Sequence, residues 1–336
     1  MQRGLGLVAA LLVAATLSAT ASAASKPNLS GVTLNIAVEQ TGGWDLELQT
    51  AGLDNFPYKV NWVRLATGNL VVQAAASGAI DLGRTSDIPP IFSPPGISII
   101  GYQHIPIVPG PGGFEVLAAP NSGITAPAQL KGKKVGYTAG TAMQFTLLQV
   151  LKQGGLTWSD ITPVNLSFAA GLAALQSGSV QALATLGQVD LLARQAGATP
   201  VGDYSKPFTS GNTLEVVPTN DLNNKRKLAA IADFQIRLAK ATAWEHAHEA
   251  AWVKAQTTAE HTDYATGLAQ LQKEWAAGPI QYLPTSAKAI AAEQTVADAF
   301  FKAGTLPSRI QVSNLWTHAL DAAFTAAAKV TAPGPA

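Results

Sequence analysis

The sequence predicts an α/β protein of two lobes, each a mixed sheet flanked by helices, joined by a hinge of two crossovers. Three observations lead there. β-rich and helical runs alternate twice along the chain, as sheets covered on both faces require. A segment with three prolines and three glycines, residues 105–113, separates the two sets and has the composition of a crossover. The chain's 336 residues also exceed the size at which a single core keeps growing.

In the first set, residues 32–38, 58–65, 80–83 and 97–102 read as strands, with helices at 44–53 and 68–77. The second set reads as strands at 114–119, 134–137, 162–166 and 180–186 and helices at 127–130, 141–153, 170–176 and 189–195. Gly154 and Gly155 end the longest of these helices, where a left-handed cap is wanted. A strand at 213–217 carries the chain back to the first lobe. From Asn224 onward the pattern is helical: Leu228, Ile231, Phe234, Leu238 and Ala241 recur at spacings of three and four. Tyr264, Leu268, Leu271 and Trp275 form a second stripe, and a third helix at 286–302 buries Ile290, Val296 and Phe300 before stopping at Gly304. The expected division is a signal peptide at 1–23, lobe 1 at 32–112, lobe 2 at 113–215, a return to lobe 1 with packing helices at 216–330, and a disordered tail at 331–336.

The N-terminal reading rests on Arg3, an apolar run from Leu5 to Leu17 and the small-x-small triplet Ala21-Ser22-Ala23, the pattern of a secretory leader cleaved after Ala23 or one residue later. The run is shorter than the roughly 20 residues a membrane-spanning helix needs. With no cysteine, the chain has no disulfide, no thiolate nucleophile and no cysteine for lipid attachment. Periplasmic residence is the expectation. Removing Arg3 from the 22 basic residues leaves as many as the 21 acidic ones, so neither nucleic acid nor an anionic membrane surface is an expected partner.

Three stretches carry a family resemblance. They are Val60-Asn-Trp-Val63 with Gly78-Ala-Ile-Asp-Leu-Gly-Arg-Thr-Ser-Asp-Ile-Pro-Pro-Ile-Phe92; Leu130-Lys-Gly-Lys-Lys-Val-Gly136 with Gly140-Thr141 and Gly155-Leu156; and Gln294-Thr295, Ala297-Asp298, Phe300-Phe301 and Leu306-Pro307. In this order, from about Leu34 to Trp316, the chain resembles the aliphatic-sulfonate and taurine binding proteins of ABC importers. The resemblance implies a type II periplasmic binding fold, a ligand held between the lobes, delivery to an inner-membrane ABC permease, a monomer, and neither catalysis nor a cofactor. Two departures fall near the implied pocket. Leu186-Gly187-Gln188-Val189 stands where the family commonly has Trp-Asp-Pro-Tyr, and Arg84 stands where it usually has a small residue.

For an oxyanion such as a sulfonate, the helix N-terminus at Gly140-Thr141-Ala142 offers backbone N–H groups and a favourable dipole, although Thr141 also suits an ordinary N-cap. Arg84, Thr85 and Ser86 follow a strand, where open α/β sheets place ligands. Arg84 either pairs with the anion through its fork of donors or points to solvent. Asp87 suits the turn at Ile88-Pro89. Gln40 offers an amide or simply forms a turn, Trp44 offers an apolar wall or belongs to the core, and Gln188 and Thr213 complete the candidate set. Glu39, if it faces the cleft, favours a cationic or zwitterionic ligand such as taurine; nitrate, a carboxylate and an aromatic acid remain alternatives. Glu245-His246-Ala247-His248-Glu249 resembles a metal motif, but residues two apart do not share a helix face, and a solvated face is the expectation. An enzyme on this scaffold is the minor alternative: the sulfinate desulfinases that resemble these binding proteins use a cysteine nucleophile, which this chain lacks.

Overall fold

The computed structural model describes residues 27–39 and 42–331. The expected leader at 1–23, Gln40 and residues 332–336 of the expected tail lie outside the described residues, whereas Thr331 closes the last helix.

The first lobe opens with β1 (Thr33–Val38), α1 (Trp44–Thr50), β2 (Lys59–Arg64), α2 (Gly68–Ala76), β3 (Gly83–Ser86) and β4 (Ile97–His104). The second comprises β5 (Glu115–Ala118), β6 (Lys134–Tyr137), α3 (Ala142–Gln153), β7 (Thr162–Asn165), α4 (Phe168–Gln176), β8 (Ala182–Thr185), α5 (Gly187–Gln195) and β9 (Thr199–Pro200). Then come β10 (Asn212–Pro218), α6 (Lys225–Ala247), α7 (Glu249–Glu260), α8 (Tyr264–Ala277), β11 (Gln281–Leu283), α9 (Ala287–Lys302) and α10 (Asp321–Thr331). Residues 127–130, read as a helix, form only a 3₁₀ turn.

Local chemistry explains where the helices start. Thr67, Ser167, Asn224, Asp263 and Ser286 each occupy an N-cap and accept a bond from a first-turn N–H. At the other end of α3, Gly155 turns left-handed at φ +66° and lets the Leu156 N–H reach back to the Leu151 carbonyl at 2.8 Å.

The first lobe contains a four-stranded sheet in the order β11-β4-β10-β3, with the parallel pair β1-β2 beside it. A parallel bridge between Ile36 and Leu82 joins the two groups into one surface. Here the strand read at 80–83 sits three residues later than expected. Ile80 and Leu82 are fully buried, but Leu82 meets β1 through that single bridge, and the ladder to β10 starts only at Gly83. The second lobe is a mixed sheet, β7-β6-β8-β5-β9, parallel around β6 and antiparallel around β5. Because β10 pairs with β3 and β4 from Asn212 onward, we place the return to lobe 1 before Asn212, a few residues ahead of a division at 215.

Burial follows the predicted stripes. Ile231, Phe234, Leu238 and Ala241 of α6 are completely inaccessible and pack on the first sheet with Trp44, whose ring meets Phe234 edge-on at 5.5 Å. Burying such an aromatic contributes a few kcal/mol. The stripe of α8 is shallower. Only Leu271 is buried, because α8 packs on α7 at the edge of the molecule. Another cluster bridges the lobes: Ile88 and Ile91 from lobe 1, Ala142 and Phe145 from lobe 2, and Phe300 of α9, with Phe145 and Phe300 at 5.7 Å.

The two crossings run side by side. Ile105 donates its N–H to the Gly211 carbonyl at 2.8 Å, and Ser210 bonds the Asp87 carboxylate. Gly211 has φ +74°, and a Cβ there would lie 2.6 Å from the Ile105 carbonyl oxygen, so only glycine lets the crossings approach this closely. Among the described residues no helix is long and apolar enough to span a membrane.

Candidate functional site

Between the lobes lies a cavity of about 380 Å³. Its walls are mostly apolar, with Val38, Leu65 and Pro89 from the first lobe and Phe114, Phe168 and Leu186 from the second. Its polar atoms come from the ends of strands and the beginnings of helices, where an α/β sheet leaves backbone groups unpaired.

Two helix N-termini border it, those of α2 at Thr67-Gly68 and of α3 at Thr141-Ala142-Met143. Gly140, left-handed at φ +66°, turns the chain from β6 into α3, and its N–H donates to the Gln144 side chain at 2.7 Å. The Thr141 hydroxyl donates to the Thr138 carbonyl at 2.6 Å, so it is not available to a ligand. What remains free on α3 is backbone: the N–H groups of Ala142 and Met143 have no acceptor among the described residues. On α2 the same holds for Gly68 and Asn69, while the Thr67 hydroxyl accepts from Leu70. Both helix dipoles favour an anion here.

Thr85 adds a hydroxyl. It is 4% exposed, and its Oγ1 is buried with no partner among the described residues. Gly68 makes room for it, since a Cβ on residue 68 would lie 2.1 Å from that oxygen. Ser86 and Thr213 also border the cavity and face each other across the β3–β10 ladder.

Arg84 lines the cavity with its charge already engaged. Its Nε donates to Glu39 at 2.6 Å, an Nη approaches Glu47 at 3.8 Å, and the guanidinium lies over the Trp44 ring at 5.2 Å. Burial opposes its charge, but Glu39 and Glu47 outweigh that and raise its pKa above the ordinary arginine value. Burial would also raise Glu39, yet the adjacent guanidinium holds it below the usual carboxylate range. Behind this pair burial pushes Glu47 up to about 7, Glu215 to about 8 and, with Glu47's charge, Glu245 to about 9. The sequence left Arg84 as an anion clamp or a solvated side chain; it borders the cavity while paired with Glu39.

Trp44 is fully buried in the first core, beneath Arg84, and does not reach the cavity wall. Gln188 is exposed in the first turn of α5, and Leu186 takes the place on the wall instead. Gly140 shapes the end of α3 without lining the cavity. Glu39 does border it, bound to Arg84. Sequence reasoning missed the α2 N-terminus, although Thr67-Gly68 follows a strand and opens a helix just as Thr141-Ala142 does. It also missed Glu47 and Glu215, for which periodicity gave no signal.

The expected solvated face at Glu245-His248 is only partly solvated. Glu245 is buried, His246 stacks on Trp275 at 4.3 Å, and His248 stacks on Trp244 at 4.4 Å. No group of three or more metal-ligating side chains is placed to hold an ion among the described residues.

Two α/β lobes on a double crossing, with two helix N-termini and the unpaired Thr85 hydroxyl bordering a cavity between them, have the periplasmic binding protein fold. Residues 113–248 match the model of the NMT1/THI5 like family, a segment that includes the α3 end of the site. An Escherichia coli (strain K12) protein named as an aliphatic sulfonates-binding protein is 40% identical over 126 residues, covering 38% of this chain and 39% of that protein. The periplasmic aliphatic sulphonate binding protein SsuA from Escherichia coli superposes with a TM-score of 0.68 at 24% identity, over 84% of this chain and 90% of that one. The alkanesulfonate-binding protein SsuA from Xanthomonas axonopodis pv. citri, bound to MOPS, gives 0.70 at 24% identity, over 88% and 99%.

Proposed function

We propose that this protein is the periplasmic solute-binding component of an ABC importer, capturing a small organosulfonate between its lobes and presenting it, as a monomer, to an inner-membrane permease. The carrying observation is the convergence of free N–H groups at Ala142, Met143 and Gly68 with the unpaired Thr85 hydroxyl on a mostly apolar cavity. A sulfonate carries three acceptor oxygens and no proton at neutral pH. Neutral donors can therefore satisfy it without a free cation, and the apolar wall takes the carbon tail. The sulfonate-binding relatives support the reading. Contacts from both lobes at once stabilise the closed form, which is the state a permease recognises. Absence of cysteine removes the thiolate route by which desulfinases on this scaffold act.

Taurine, nitrate, a carboxylate or an aromatic acid would use the same donors, so the test compares them. The protein is unfolded and refolded to remove bound ligand, then melted against ethanesulfonate, taurine, nitrate, sulfate and benzoate. Ligand at 100 times its dissociation constant adds about 2.7 kcal/mol. That shifts the midpoint by about 4 °C for a chain of this size. A rise with sulfonates is the expected result; a rise with nitrate or benzoate alone overturns the sulfonate reading and keeps the clamp.

A further inference from the structure

A second cavity, of about 290 Å³, adjoins the first, and Ser86, Ile105, Phe114, Ala142 and Thr213 border both. The free Ala142 N–H thus sits at the junction of two compartments. The second is floored by the first crossing, where Ile107, Val108 and Pro111 offer apolar surface. Gln270, Lys273 and Glu274 of α8 form its far rim.

The charges there are distributed unevenly. Asp87 is 2% exposed, takes a bond from Ser210, and burial pushes its carboxyl above the ordinary range. Glu274 accepts from Gln270 at 2.7 Å. Lys273 has no carboxylate within ion-pairing distance among the described residues. Arg84 and Lys273 are the cations bordering the two compartments among the described residues, and Arg84 is engaged by Glu39.

Resting on the sulfonate reading above, we propose that the cleft takes an elongated, bipolar organosulfonate: the sulfonate at Ala142, an apolar middle along Phe114 and the first crossing, and a second acidic group at Lys273. A two-carbon sulfonate fills only the junction. Each further methylene buried in the second compartment strengthens binding up to about fourfold, and a terminal carboxylate at the exposed Lys273 adds up to about fivefold.

Isothermal titration of the refolded chain with ethanesulfonate, hexanesulfonate and 6-sulfohexanoate tests this, using wild type, Lys273→Ala, Lys273→Glu and Val108→Trp. In wild type, hexanesulfonate should bind at least tenfold more tightly than ethanesulfonate, and 6-sulfohexanoate more tightly again. Lys273→Ala should erase the carboxylate's advantage and Lys273→Glu should reverse it. Val108→Trp, which narrows the second compartment, should weaken both six-carbon probes. Ethanesulfonate should bind all four proteins within about twofold. Equal binding of the two- and six-carbon probes, or a carboxylate preference that survives Lys273→Glu, overturns the inference and leaves sulfonate capture standing. Failure of every sulfonate to bind sinks both.

Discussion

Asn69, in the first turn of α2, donates its side-chain amide to the Ala139 carbonyl at 2.8 Å, a hydrogen bond that runs from one lobe to the other along the rim of the cavity. Gly140 makes the approach possible: a Cβ at that residue would lie 3.2 Å from the same amide. The bond engages no ligand, so it contributes to closure whether or not the cleft is filled. It also fixes the two helix N-termini relative to each other.

Asn69→Ala should therefore shift the free protein toward the open form. One such bond contributes about 0.5–1.5 kcal/mol, so ligand affinity should fall about two- to tenfold. Small-angle scattering of the ligand-free variant should give a larger radius of gyration than wild type, with the two converging at saturating ligand. Identical radii without ligand would rule out the latch.

Arg84→Met should act on stability more than on recognition. It strands Glu39 and Glu47, and breaking a buried pair costs about 3–5 kcal/mol. Because the Glu39 side chain is 44% exposed, we expect about 2–4 kcal/mol in urea titrations. The loss should be smaller at pH 5 than at pH 8, since protonation relieves the stranded carboxylates. A variant as stable as wild type that has lost all ligand binding would restore the anion-clamp role.

Stability should decline as pH rises from about 5 to 9. Burial raises Glu215 to about 8 and Glu293, which Trp316 bonds at 2.6 Å, also to about 8. Between the ordinary carboxylate value and these, the folded state holds protons the unfolded state has released, so unfolding becomes easier with rising pH. Glu215→Gln should flatten part of that slope in melting curves taken across the range. A slope unchanged by the substitution would remove Glu215 as its source.

Gly68→Ala should cancel ligand binding while the chain still folds. Alanine suits a helix better than glycine, but here its Cβ falls on the Thr85 hydroxyl. The expected signature is an apo protein that still melts cooperatively, a few degrees lower because the Cβ also crowds Pro89 at 2.9 Å, with no rise on adding ethanesulfonate. A normal rise would place the anion away from α2.

Much of this site was legible because strand-to-helix transitions are local. Thr141-Ala142 follows strand β6 and Thr85-Ser86 closes strand β3, and that position at a strand's end decides where their backbone and hydroxyl groups point. Partners supplied by distant segments were not legible. Arg84 meets Glu39 from the end of β1 and Glu47 from α1, and Trp44 turns into the core because Phe234, 190 positions later, receives it. Three helices of the C-terminal third, α6, α8 and α9, were found from their stripes and α7 and α10 were not, and the depth of each stripe depended on its neighbours: α6 covers a sheet, while α8 lies at the edge of the molecule against α7.

The bond from Ile105 to Gly211 ties the two crossings into a single strip. Two separate tethers would let the lobes twist and slide as well as swing. A joined pair resists twisting and sliding and favours a swing about the strip, which brings the ends of α2 and α3 toward each other around whatever lies between them.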